Sequence, residues 1–394
     1  MTVTADPITF EIVRHRLFRC VEEAILTLKH VSGSPVTNEA HDLMVSLYTP
    51  DGDLLMGGVG FLHHISCASA ACKAIIRRFE GRINEADMFL LNDPYTAALH
   101  TSDVYIISPI HFEGVLVAWS ACFVHVADVG AMNPGGFCPD ARDIYTEGFS
   151  SPGIRLINGG EVCEDVFDTF LNMVRAPELV ALDIRSMIAC NHVARERVRA
   201  LFAKYGAATV EYIAKRLITQ SEELLRARLL ELADGDWMAR QFMDVEGHAY
   251  VVRLLLRKRA DALEFDFTGS SPQASRGINC TRFGALGGSL APLYPLLCYD
   301  ITWNEGVMKP VHMTVPPASI VNAQRPAPVS IATTGAVQAV NDVAIICISK
   351  MLAASPKYAK EATAVWQGSH LAIYLFGRNH RGKEVIGSTT ETFA

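Results

Sequence analysis

Three short polar strings carry the side chains best suited to chemistry: His41-Asp42, His100-Thr101-Ser102-Asp103 and His125-Val126-Ala127-Asp128. Each lies beside an apolar run that reads as a strand, so each places polar groups at a strand end. A histidine and an aspartate three residues apart converge where the chain turns sharply. Imidazole nitrogen plus carboxylate oxygen is a ligand mixture for zinc, manganese or iron. A cation held this way keeps positions open for water or a substrate oxygen, as Lewis-acid catalysis requires. The same spacing also makes an ordinary hydrogen-bonded turn, and one pair alone does not separate the two readings. Two pairs between residues 100 and 128 strengthen the ligand reading. His63 and His64 follow Gly57-Gly58-Val59-Gly60, which allows close backbone approach to a ligand or simply forms a turn. That run lacks a Walker lysine and GxGxxG order, so no nucleotide loop is expected there. In Asn92-Asp93-Pro94-Tyr95, Asp93 either accepts from a liganding histidine or caps the turn. Residues 130–136 form a glycine-rich loop that binds an oxyanion or packs.

Positioning these groups needs a scaffold, and the periodicities outline one. Asp6 as N-cap and Pro7 in the first turn open a helix to about Lys29, with Phe10, Val13, Leu17, Val21, Ala24, Ile25 and Leu28 on one stripe. Residues 43–48 and 54–56 read as a hairpin, 67–78 as a helix, and 88–91, 104–107 and 115–123 as strands. Helices at 178–201 and 210–232 flank Gly206. Strands follow at 249–257 and 262–267, then a helix at 284–297. The proline-rich segment 310–329 admits no central strand or helix, and residues 337–353 return to helix. The fold class is mixed α/β, of α+β character with several subdomains. The expected divisions are an N-terminal region, 1–160, carrying the metal site, a helical region, 161–235, and a C-terminal α+β region, 236–394.

Composition sets the class. A chain of 394 residues, half of them apolar and a fifth charged, is long enough for two or three subdomains and too apolar for disorder. Thirty-five basic against 42 acidic residues give a net charge of −7, which disfavours nucleic acid as a partner. No charge-free apolar run is long enough to span a bilayer, and the first residues resemble no secretory signal, so a cytoplasmic enzyme is expected. Ten cysteines without a CxxC fit buried thiols in a reducing compartment.

Several strings in fixed order carry a resemblance: DPITFEIVRHRL, NDPYTAALHTSDVYIISPIHFEGVLVA, HVADVGAMNPGGFCPDARDIYTEGF, DFTGSSPQ and WNEGVMKPVHMTVPPASIVNAQRPAPVS. Together they resemble the B-type subunits of the hydantoinase/5-oxoprolinase family, which includes N-methylhydantoinase, caprolactamase and the acetone and acetophenone carboxylases. The resemblance implies a divalent metal on Asp42, His100, Asp103 and His125, zinc first, with manganese or iron as candidates. His64 and Asp128 are candidates for the pocket or for holding the ligands, and one or the other is the candidate proton acceptor of a hydrolase. The resemblance also implies an A-type partner subunit that binds ATP, and hence a hetero-oligomer that hydrolyses a cyclic amide: a hydantoin, oxoproline or a lactam. A ketone carboxylase subunit is the alternative, and Val104, Ile106, Trp119, Phe123 and Phe137 suit either a ketone pocket or a core. A third reading, a scaffold without chemistry, sits poorly with the intact ligand set. This chain has AALHTSD where hydantoinases read GGTHLPD, with Ala97 and Ala98 replacing turn glycines, and Glu39-Ala40-His41-Asp42-Leu43-Met44 where they read E-R-x-D-F-S. It stops at Ala394 where members continue through glycine-rich sequence, which implies a shortened chain.

Overall fold

The computed structural model describes residues 5–32, 34–38, 41–365, 370–378, 380–382 and 384–392; Glu39 and Ala40, part of the departure noted above, lie outside them. The first helix, Pro7–Val31, starts as expected: Asp6 Oδ1 accepts from the Ile8 and Thr9 amides at 3.0 and 3.1 Å. Its Val13, Leu17, Val21, Ala24 and Leu28 are buried against a seven-stranded antiparallel sheet. The strands are β1 (Leu43–Tyr48), β2 (Leu54–Val59), β3 (Met88–Leu91), β4 (Asp103–Phe112), β5 (Val115–His125), β6 (Ile154–Asn158) and β7 (Glu161–Val162), in the spatial order β2-β1-β5-β4-β3-β6-β7. Gly159 and Gly160, both at positive φ, form the two-residue turn between β6 and β7. The helical stretch therefore begins at Glu164, with helices Glu164–Asn172, Pro177–Tyr205 and Ala207–Leu230.

Alternation along the strands gives the sheet two dry faces. Leu43, Val45, Val104, Ile106, Cys122 and Val124 face the helices Pro7–Val31 and Pro177–Tyr205. Met44, Tyr105, Ile107, Ala121 and Phe123 face the other way, into a second core with helix Ala68–Arg78 and the C-terminal half of the chain. The helices of 161–235 thus divide between these two cores instead of enclosing one of their own.

A second sheet has the order β11-β10-β9-β8, with β8 (Gly235–Val245), β9 (His248–Arg259), β10 (Ala262–Asp266) and β11 (Val311–Thr314). β8 falls outside the predicted elements; as an edge strand it is only half-buried and carries charges along its exposed face. β11 is the short edge strand that the proline-rich segment still permits. The helix expected at 284–297 is two, Arg282–Leu290 and Leu293–Leu297, interrupted at Pro292, which has no amide to continue the ladder. Helix Ala336–Ala353 packs on the second sheet, where Cys347 Sγ donates to the Trp237 carbonyl at 3.5 Å and Lys350 Nζ to the Met238 carbonyl at 2.9 Å, while Val340 packs against Gly288. Among the described residues it is the one helix long and apolar enough to cross a membrane, and 83% of it is buried inside the protein. A last hairpin pairs β12 (His370–Arg378) with β13 (Glu384–Thr392).

One buried acid reports on this packing. Asp183, with no exposed surface, accepts from Ser32 Oγ at 2.7 Å, while its other oxygen has no partner among the described residues. Burial pushes its carboxyl up to about 7, against the pull of that hydrogen bond. A folded-state value above the unfolded 3.8 means that the folded chain holds the proton more tightly. Its contribution to stability is then fully present below the unfolded value and is lost as pH rises to about 7. Asp183→Asn is therefore expected to melt about 2–5 °C above the parent at pH 8, with the gap narrowing as pH falls below about 7 and closing only toward about pH 4 in thermal scans.

Candidate metal centre

Three of the expected ligands fall in one row because of the sheet register. Asp103 is the ladder partner of His125 across β4 and β5. Leu43 pairs with Val124, so Asp42 lies beside His125 at the end of β1, where the His125 amide donates to the Asp42 carbonyl at 3.2 Å. Residues two apart share a face, so Asp42, Asp103 and His125 stand on the side of Met44, Tyr105 and Phe123. His100 reaches the row from the turn before β4, and His64 from the short 3-10 turn Leu62–His64.

The mutual distances are 3.6 Å for His100 Nδ1 to Asp103 Oδ1, 3.8 Å for His125 Nδ1 to Asp103 Oδ1, 3.6 Å for His125 Nδ1 to Asp42 Oδ2, and 3.5 Å for His64 Nε2 to Asp42 Oδ1. The ligand atoms of His100, Asp103 and His125 all lie within 4.8 Å of one another, and all three residues are buried. Such gaps are too long for good hydrogen bonds. Ligands about 2.0–2.2 Å from a tetrahedral zinc stand roughly 3.3–3.6 Å apart, close to these values. Asp42 Oδ1, Asp103 Oδ1 and His64 Nδ1 are buried without a hydrogen-bond partner among the described residues. Acceptors left dry this way are costly unless something positive meets them. The donor set fits a divalent cation. Asp42 is its most exposed member, at 18% of the side chain, so the cluster opens to solvent on that side.

Electrostatics readies the same atoms. Burial and the neighbouring His125 hold His100 well below the ordinary imidazole range, and burial lowers His125 as well. Both present neutral imidazoles, the form that binds a metal. Burial pushes Asp103 up to about 7 against the pull of His64. For Asp42 burial acts in the same sense, but the facing His64, His125 and His100 outweigh it and hold the carboxyl below its usual value. His64 is disfavoured as a cation by burial, yet Asp103 and Asp42 raise it.

Neighbouring segments fix the row. The Asn92 side chain donates to the carbonyls of Thr101 and Phe149 at 2.6 and 2.8 Å, while Thr101 Oγ1 donates to the Glu147 carbonyl at 2.7 Å, so the His100 turn is clamped. Ala97 and Ala98 are buried in that turn without positive φ, so the replaced glycines are not needed for its geometry. A Cβ on Gly60 would lie 1.6 Å from the His41 carbonyl oxygen; β2 thus presses on the residue before Asp42, and His41 itself adopts φ 56°. The glycine run therefore approaches protein: Gly58 lies under Ile25 and Val21. Aromatic rings close the remaining sides. Phe123 lies 4.0 Å from His64, and Phe137, from the glycine-rich loop, lies 5.6 and 5.8 Å from His100 and His125, ring centroid to centroid.

Other expectations need correcting. Asp128 is held elsewhere: Oδ1 accepts from Arg175 Nη1 at 3.0 Å, and Oδ2 accepts from the Arg175 and Gly130 amides at 2.7 and 3.2 Å. A carboxylate so occupied anchors the loop and makes a poor proton acceptor. Asp93 caps its own turn through Tyr95 and Thr96 and ties it to Arg325. Val104 and Ile106 face the opposite core, and Trp119 Nε1 donates to Pro50, so of the five apolar candidates Phe123 and Phe137 line the centre. Asn92, Gly60 and Arg175 escaped sequence reasoning because their partners are distant along the chain.

The family model described as hydantoinase B/oxoprolinase matches residues 6–393. The chain is 28% identical over 382 residues to caprolactamase subunit beta of Pseudomonas jessenii, covering 96% of this chain and 64% of the relative. It is 25% identical over 385 residues to the acetophenone carboxylase delta subunit of Aromatoleum aromaticum, covering 96% and 55%. The crystal structure of the ATP-dependent caprolactamase from Pseudomonas jessenii superposes with a TM-score of 0.89 at 25% identity, covering 98% of this chain and 66% of that one. The chain thus spans less than two thirds of the length of the relatives that it matches.

Asp103→Ala is expected to abolish metal retention, read by elemental analysis after purification, with the far-UV spectrum unchanged. Stoichiometric metal in that variant would remove Asp103 from the centre. Gly60→Ala, which pushes on His41, is expected to weaken metal affinity about tenfold with Asp42 left in place.

Proposed function

The chain belongs to the hydantoinase B/oxoprolinase family, and from that premise we propose that it is the metal-bearing B-type subunit of an ATP-dependent complex that opens a cyclic amide. The observation that carries the reading is the row Asp42–His125–Asp103, joined by His100, with carboxylate oxygens buried and unpaired. Asp42, His100, Asp103 and His125 would hold the cation, zinc first and manganese or iron as alternatives. When bound, a divalent cation supplies Lewis acidity, polarising a carbonyl and making coordinated water more acidic.

The chain's own groups do the rest. Neutral His100 and His125 and ionised Asp42 offer lone pairs toward one point. His64 carries a proton at Nε2 toward Asp42, and its Nδ1 lacks a partner among the described residues. That places a proton-transfer group beside the cluster to serve the departing ring nitrogen, whereas Asp128 is held by Arg175 and Gly130. Phe123 and Phe137 wall the centre and limit water. An unstrained amide is a poor electrophile, so the ATP-consuming activation is assigned to an A-type partner subunit in a hetero-oligomer. Ten free thiols, nine of them buried, support a cytoplasmic setting for the complex.

The carboxylase relative supports a second reading, in which the same centre receives an activated ketone and a carbonic species. The two separate cleanly when the chain is co-purified with an A-type partner. Ring opening of hydantoin, 5-oxoproline or caprolactam coupled to ATP consumption is expected. Labelled bicarbonate entering an acid-stable product, with no ring opening, would replace the hydrolase reading with the carboxylase one. Within the hydrolase reading, His64→Asn is expected to lower kcat by about 10²–10⁴ with little change in KM and unchanged metal content. Unaltered kcat would remove His64 from proton transfer.

A further inference from the structure

Beside the metal centre, the junction between the two halves forms a half-open cleft of about 660 Å³, within the range of small-molecule sites. Its walls are helix Ala68–Arg78, helix Arg282–Leu290 and β11. The charges on those walls are unbalanced. Lys73 is neutralised by Asp53 and Glu305, each at 2.7 Å, and the second Glu305 oxygen accepts from the Leu54 amide. Glu305 is the one carboxylate lining the cavity, and it is fully engaged. Arg77 and Arg282, on different helices, have no carboxylate within ion-pair distance among the described residues; Arg282 rests over the Phe283 ring at 5.2 Å. Two exposed guanidiniums without a carboxylate partner among the described residues therefore stand at a cleft lined by apolar side chains, including Leu286, Met308 and Met313, and by the polar Ser66, Ser69, Thr96 and Asn322.

Guanidinium is the side chain suited to forked recognition of carboxylate or phosphate. Like charges gathered at a cavity without a counter-charge call for an anion. The apolar lining calls for a body that buries hydrocarbon. From this we propose that the cavity binds a small organic oxyanion, a carboxylate or a phosphate ester with an apolar body, between Arg77 and Arg282.

The site abuts the metal centre without belonging to it. Ser66, in its lining, follows His64 by two residues, and Cys67 Sγ donates to the Phe283 carbonyl at 3.0 Å. A Cβ on Gly287 would lie 2.4 Å from the His63 carbonyl oxygen, so the seam between the cavity wall and the histidine turn is tight. Thr96, also in the lining, donates to Asp93 in the turn that leads to His100. An anion seated there presses on both segments that deliver histidines to the row. The proposal stands whether or not the centre performs amide hydrolysis.

Calorimetric titration of the purified full chain tests it, with benzoate, phenyl phosphate and neutral benzamide as probes. At least one of the two anions is expected to bind about tenfold or more tightly than benzamide; preference for benzoate marks a carboxylate ligand, and preference for phenyl phosphate marks a phosphate ester. The double variant Arg77→Gln/Arg282→Gln is expected to lose about tenfold or more in anion affinity. Leu286→Trp, which fills the apolar side without touching a charge, is expected to lose it as well and covers the case in which the arginine variant does not fold. Asp103→Ala is expected to keep anion binding within about twofold, which locates the ligand outside the metal centre. Equal affinity for benzamide, no anion binding up to about 10 mM, unchanged affinity in folded arginine and tryptophan variants, or loss in Asp103→Ala would each overturn the proposal.

Discussion

Asp103 sits at the start of a central strand with no exposed surface, and one of its oxygens meets no hydrogen-bond donor among the described residues. Burying a carboxylate this way is strongly unfavourable unless a positive charge meets it. The register of β1, β5 and β4 places it there, beside His125 and one strand away from Asp42. A slip of one residue in either ladder would send one member of the row to the opposite core. The arrangement of much of the N-terminal half follows from keeping that register: two dry sheet faces, a helix pair behind, and turns clamped by Asn92 and Glu147 in front.

The C-terminal half contributes by packing. Glu147, pushed up to about 7 by burial, takes the amides of Val329 and Ser330, and Arg325 reaches the Asp93 turn. Lys73 is tied to Glu305 across the same junction. These contacts hold the segments carrying His64, His100 and Phe137 against the second core, so the C-terminal half braces a centre whose side chains all come from the N-terminal half. Ligand geometry of this kind tolerates little displacement, and both buried hydrogen bonds and half-exposed ion pairs brace the seam.

Much of this was legible in the chain. Asp6 and Pro7 mark the start of the first helix, short apolar runs broken by turns give β1 to β5, and the prolines after Lys309 exclude a central element. The polar strings at strand ends also stand out by residue type. Local signals of this sort depend on neighbours within a few positions. Elsewhere the local signal failed: β8 alternates in burial, but Met238 and Phe242 stand on its exposed side and Gln241 on its inner side, which blurs the pattern of residue types, and the helix after Arg282 breaks at Pro292.

The sequence by itself determined the inventory: two imidazoles, two carboxylates and a nearby histidine pair, each at the end or turn of a recognisable element. Tertiary structure decided the assignments. His64 joins the cluster because a 3-10 turn points it at Asp42, whereas Asp128, equally polar and only three residues past His125, is taken by Arg175. Asp93 serves its own turn and Arg325. The physical reason is range. Which acid meets a cation depends on strand register and on partners 40 to 230 residues away, and spacing along the chain carries no information about either.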